Sequence, residues 1–235
     1  MKTPQQHIEF YKEQLQIFNE GYKYTLNNND IYTSIFNSEQ IFLCNLMIAL
    51  IQWRLKENPK IQLIKTLRNL EENISALSNN DGYHSFQTTY LIIIAKYFAF
   101  LCDLNLNLDI NNLVLQSDEN KLDFHLYNLI EKPSGFNTEI EKSLKKISKI
   151  KRYKLAFDSY DNYFKILESF NSINMDSKIE LAELLFTKRT KDSFYSNSHQ
   201  IEGGNFDNDL VIDFRLAVIL KKIQYGGHSI HKWEW

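Results

Sequence analysis

The sequence predicts an all-α fold, an antiparallel array of about 8–10 helices, on three observations. Only seven glycines and three prolines punctuate 235 residues, far fewer than the tight turns of an all-β chain demand. Apolar residues recur at steps of three and four along most of the chain, the period of a helix face. An apolar share of 43%, with 14% aromatic residues, is enough to bury a large core and excludes disorder as the main state. A helical-repeat arrangement is one form such an array can take. However, the echo between Phe86-Gln87-Thr88-Thr89-Tyr90-Leu91 and Phe214-Arg215-Leu216-Ala217-Val218-Ile219 recurs at no fixed period, and shared core-helix chemistry explains it.

The first helix is predicted over residues 4–26, with Ile8, Tyr11, Leu15, Phe18, Tyr22 and Leu26 on one stripe. Asn27-Asn28-Asn29-Asp30 breaks it. Asp30 or Ser38 then caps a second helix that runs through Phe42, Leu46, Leu50 and Trp53 to about Glu57. Asn58-Pro59 ends that helix, and Pro59 suits the first turn of a third over residues 60–77, with Ile61, Ile64, Leu67, Leu70 and Ile74 on one face. A fourth helix, residues 84–103, is apolar nearly all round and is placed at the centre of the fold.

In residues 104–108, leucines alternate with Asn105 and Asn107, which favours a loop packed on the core over a strand. Short helices are expected near residues 110–115 and 119–130. Lys132-Pro133-Ser134-Gly135 is the best boundary candidate, so residues 1–235 read as a single domain with lobes of approximately 1–132 and 136–235. Helices over residues 139–150, 156–170, 175–189 and 209–224 fill the second lobe, the last strongly amphipathic. Between the last two lies a Ser-, Asn- and Gly-rich loop of about 19 residues, a length that often marks a binding element.

Charge and targeting signals narrow the function classes. Lys plus Arg number 27 against 29 Asp plus Glu, a net of -2, so no global field draws the chain to nucleic acid or to an anionic membrane. The N-terminal residues lack the apolar segment of a secretory signal, and the most apolar stretch, residues 90–102, is too short to span a bilayer. A cytoplasmic protein without membrane partners is therefore expected. Cys44 and Cys102 each sit in an apolar run, where a thiol acts as a small core hydrophobe.

Motifs for chemistry are weak throughout. His228 and His231, with His199 and Glu202, can be written as a zinc set, but the helical H-E-x-x-H pattern and cysteine pairs at metal spacing are missing, and no metal or other cofactor is expected. No G-x-S-x-G elbow supplies a nucleophile, and no catalytic residue is assigned. Gly203-Gly204 and Gly226-Gly227 read as turns or helix stops. Asp158 with Asp161, and Asp209 with Asp213, fall at helical spacing on solvated faces or helix starts. The sharpest charge feature is Lys142-Ser143-Leu144-Lys145-Lys146-Ile147-Ser148-Lys149-Ile150-Lys151-Arg152-Tyr153-Lys154, an amphipathic helix with a basic outer face.

The strongest binding candidates lie near the C-terminus. Tyr195, His199, Glu202, Phe206, Asp207, Asp209 and Asp213 make an acidic stretch with amphipathic contact groups. They are followed by the tail residues His228, His231, Trp233 and Trp235, where two indoles so near a terminus point to a tail tied down on the body or on a partner.

The abundance of Asn, Ile and Lys, the all-α body without a catalytic motif, and the Asp213-Phe214-Arg215-Leu216-Ala217 helix followed by a tryptophan tail together resemble the all-helical immunity proteins of bacterial polymorphic toxin, contact-dependent and type VI secretion systems. The likeness is one of general shape over the full length, with specific support from residues 195–235. It implies a non-enzymatic protein that neutralises a cognate toxin by stoichiometric binding, with a homodimer left open. An alternative from another class is a helical scaffold or regulator that binds a peptide or nucleic acid through the basic helix. An enzyme assembled from scattered His, Asp and Tyr residues is a third reading that leaves no motif.

Overall fold

The computed structural model describes residues 3–55, 57–78, 86–108, 124–128, 130, 142, 145, 163–166, 176–184 and 214–226. Among them 87% are helical and none is in a strand, so the fold class is all-α. The long helices are α1 (Pro4–Asn27), α2 (Ile31–Arg54), α3 (Lys60–Ser78), α4 (Phe86–Leu101) and α5 (Phe214–Tyr225). Shorter helical pieces lie at residues 124–128, 163–166 and 176–184.

α1 starts where local chemistry sets it. Thr3 Oγ1 accepts the Gln6 N–H (3.2 Å) and Gln6 Oε1 accepts the Thr3 N–H (2.8 Å), a reciprocal capping box, with Pro4 in the first turn. It ends in a Schellman motif. Asn29 takes a left-handed φ of 55° while the Asp30 N–H reaches Thr25 O (2.9 Å) and the Asn29 N–H reaches Leu26 O (3.2 Å). Asp30 then caps α2, its carboxylate accepting from the Thr33 N–H (3.2 Å) and hydroxyl (2.6 Å). Of the two caps the sequence offered, Asp30 is the one used.

α1 and α2 pack as an antiparallel hairpin. A buried hydrogen bond from Ser34 Oγ to Thr25 Oγ1 (3.0 Å) ties them near the turn. At Gly21 a Cβ would stand 3.2 Å from the Asn37 amide, which explains a glycine inside a helix where alanine is favoured by about 1 kcal/mol.

Over 23 residues, Ile31–Trp53 is long and apolar enough to cross a membrane, a stretch the sequence reading passed over. Its apolar window is 83% buried inside the protein, and enclosure by other helices accounts for that composition. α2 therefore shares the central position with α4, in which Leu91, Ile92, Ile93, Ile94, Ala95, Tyr97, Phe98, Ala99 and Leu101 are all buried.

Three sequence expectations shift. Ile61, placed on the buried face of α3, is 84% exposed. Steps of strict threes drift around a helix, and Ile61 and Leu70, nine residues apart at about 100° per residue, fall on opposite sides. The buried line is Leu63, Leu67 and Leu70, with Ile74 packed against it. Leu26 is likewise exposed at the end of α1. α5 is amphipathic in sequence yet presents no wet face over most of its length, since every residue from Phe214 to Lys221 is buried.

Other expectations match the structure closely. Pro59 stands one position before α3, where its carbonyl accepts the Leu63 N–H (2.9 Å). Leu106 and Leu108 are buried in a segment without regular structure, the core-packed loop anticipated. Residues 124–128 and 130 fall in the expected 119–130 helix. The hydrophobic core forms one cluster from Ile8 to Ile223, and Phe214 of α5 enters it against Tyr97 (ring centroids 5.7 Å apart) and Phe98 (5.2 Å). The boundary at residues 132–135 and the loop at 190–208 lie outside the described residues.

Candidate functional site

The sequence-predicted binding residues Tyr195, His199, Glu202, Phe206, Asp207, Asp209, Asp213, His228, His231, Trp233 and Trp235 all lie outside the described residues, as do Asp158 and Asp161. Gly226 is described and acts as the helix stop expected of it, its N–H donating to Lys222 O (3.2 Å) and Ile223 O (3.0 Å). In the basic run, Lys142 and Lys145 are helical and exposed. Among the described residues, no group of three or more His, Cys, Asp or Glu is placed to hold a metal ion. Both cysteines are free and buried. Burial pushes each thiol up to about 12, so both are protonated packing groups at neutral pH.

Two features stand out among the described residues. The first is a polar junction at the C-terminus of α4. Asp103 occupies the left-handed position there (φ 57°), with the Leu104 N–H on Ala99 O (2.9 Å) and the Asp103 N–H on Phe100 O (3.3 Å), a second Schellman motif. This turn aims its carboxylate at three donors from two other helices. Lys60 Nζ of α3 donates at 3.2 Å, Lys221 Nζ of α5 at 2.7 Å, and the Tyr225 hydroxyl also donates. Partial burial raises the carboxyl pKa, but the hydrogen bonds from Lys221, Tyr225 and Lys60 outweigh it and hold the group at about 2. Tyr225 moves the other way, to about 12, through burial and its bond to the carboxylate.

Lys221 is itself buried and also donates to Leu101 O at 2.6 Å, so one ammonium serves both the last carbonyls of α4 and the acid beyond them. Beside the junction opens a cavity of about 340 Å³ whose walls include Lys96, Phe100, Asp103, Asn105, Tyr127 and Tyr225. Lys96 Nζ donates to Leu106 O (2.6 Å), which is how a lysine is accommodated in so apolar a helix. Glu71 accepts from Arg68 (2.6 Å) and from the Asn107 N–H, closing the far side of the loop.

The second feature is a set of exposed apolar side chains on the α1–α2 hairpin. Ile17 and Tyr24, seven residues apart, project from one side of α1, and Tyr32 and Phe36, four apart, from one side of α2. Tyr24 is 71% and Tyr32 68% exposed. Phe36 is anchored edge-on to Phe18 (6.2 Å). The turn at Asn28–Asp30 places Tyr24 and Tyr32 at the same end of the hairpin.

Sequence reading missed both features, for different reasons. Ile17 and Tyr24 stand off the buried stripe of α1, a signal that was available. Asp103 and Lys221 are brought together only by the packing of α5 on α4, which no local pattern encodes. No family model, no curated protein and no solved structure matches the chain.

Proposed function

We propose that the chain is an immunity protein, which binds and neutralises a cognate bacterial toxin stoichiometrically and performs no catalysis of its own. The observation that carries the reading is the exposure of Ile17, Tyr24, Tyr32 and Phe36 on the α1–α2 hairpin. Large aromatic groups held out on a braced helical hairpin offer contact area at low entropy cost, the kind of surface that anchors protein interfaces. The toxin as the partner comes from the resemblance of the whole chain to all-helical immunity proteins. The acidic stretch 195–213 and the tail residues His228 to Trp235 would extend the contact.

The test is co-expression with each protein encoded beside this one, read as rescue of growth and as a 1:1 complex on size-exclusion chromatography with light scattering. Rescue together with a complex supports the reading. Absence of both with every neighbour contradicts it. The alternative, a helical scaffold or regulator that binds a peptide or nucleic acid, draws on the exposed Lys142 and Lys145. It predicts salt-sensitive binding of oligonucleotides, which the immunity reading does not.

A further inference from the structure

We infer that the exposed side of α1 receives a helix of a partner protein, and that this helix is basic and amphipathic. The inference rests on reading the hairpin as a partner-binding surface, and it holds whether or not that partner is a toxin.

Glu13, Ile17, Glu20 and Tyr24 follow one another at steps of four, three and four, and all of them are exposed. At about 100° per residue, the other three fall within about 60° of Ile17, so they form one stripe along α1. Alternating steps of three and four make the seam by which one helix packs along another. Ile17 is 58% and Tyr24 71% exposed, so the apolar half of this seam faces solvent.

Charge selects the guest. Lys12 and Lys23 lie about 120° or more round α1 from Ile17, and Lys12 is taken by Glu9 at 3.1 Å. α2, the other helix of the hairpin, carries no lysine or arginine before Arg54. Glu20 accepts from the Gln16 amide (3.1 Å), and among the described residues neither Glu13 nor Glu20 has a cation partner. A neutral or acidic helix laid on this stripe would strip water from both carboxylates without replacing it. A second copy of α1 would add two more carboxylates to the seam. Lysine or arginine facing Glu13 and Glu20, with aliphatic residues facing Ile17 and Tyr24, satisfies both halves, in the helix-in-groove mode whose anchors recur at such spacings. Glu13 and Glu20 stand about 10 Å apart along the axis, as do Ile17 and Tyr24, so a partner helix of about two heptads spans the stripe.

The probe is a synthetic amphipathic peptide of about 21 residues, long enough to hold a helix, with leucine at one seam position of each heptad and arginine at the other. Its control carries glutamate for each arginine. Titrated into the isotopically labelled full chain at low salt, the basic peptide should shift the NMR amide signals of residues 13–24 saturably, and the acidic one should not. Glu13→Gln/Glu20→Gln should weaken binding by about tenfold, the loss of two exposed ion pairs. Ile17→Ser should weaken it at least as much, with circular dichroism unchanged in both variants because all three positions are exposed. Overturning results are the lack of saturable shifts at 13–24, equal binding of the two peptides, or undiminished binding to Glu13→Gln/Glu20→Gln. The immunity reading fails separately: growth rescue without peptide binding at 13–24 contradicts the present inference alone, and peptide binding there without rescue contradicts immunity alone.

Discussion

At the scale of single residues, Asp103 concentrates the most consequence. It holds a backbone conformation that glycine or asparagine would enter more easily, and its carboxylate joins α3, α4 and α5. Asp103→Asn keeps tolerance for the left-handed turn and removes only the charge. It should lower stability by about 1 kcal/mol, a modest figure because half the Asp103 side chain is in solvent, although Lys221 is only 7% exposed. The pH dependence has a definite sign. A carboxyl held at about 2 in the folded chain against an ordinary 3.8 contributes stability above the unfolded value and loses it as pH falls toward 2. Urea unfolding over that acid range should therefore show a shallower loss of stability in Asp103→Asn than in the wild type. The cysteines give a second residue-scale prediction. With both thiols buried and pushed up to about 12, a thiol reagent at neutral pH should label them at the rate of chain opening, and labelling as fast as a free peptide thiol would contradict their place in the core.

At the scale of elements, α3 separates pattern from packing. Leu63→Ala should cost about 2–5 kcal/mol as a buried deletion, whereas Ile61→Ala, at an exposed position, should change stability by less than about 0.5 kcal/mol. Thermal or urea unfolding of the two variants distinguishes the observed face from the one that spacing in threes suggests. The helix starts and stops were legible because each has a local chemical cause. Pro4 opens α1, Asp30 caps α2, Asn58-Pro59 precedes α3, and Gly226 closes α5. Burial was less legible. The run Asn37-Ser38-Glu39-Gln40 reads as a polar turn of helix yet is buried on every side, because α2 is enclosed by its neighbours. Likewise Arg215 and Lys221 give α5 an amphipathic look while both are buried, the guanidinium lying over the Phe214 ring at 4.6 Å. Such tertiary enclosure is invisible to a periodicity that assumes one wet face.

At the scale of the whole molecule, the helices enclose one continuous core while a few aromatic groups remain outside it. Ile8 and Ile223 belong to the same cluster, so the hairpin that presents Tyr24 and Tyr32 is braced by the core it helps to build. Tyr24→Ser with Tyr32→Ser should leave stability within about 0.5 kcal/mol of wild type and weaken partner binding by about thirtyfold or more, the loss expected when interface anchors are removed. Of the proposed binding surface, the sequence pointed toward the C-terminal loop and tail, whereas the exposure of Tyr32 and Phe36 shows only in the folded chain. The most direct measurement is growth of cells that express each neighbouring gene product together with either the wild-type chain or the Tyr24→Ser/Tyr32→Ser variant. Immunity predicts rescue by the wild type through a 1:1 complex and loss of rescue by the equally folded variant, whereas no rescue and no complex with any neighbouring gene product would contradict it.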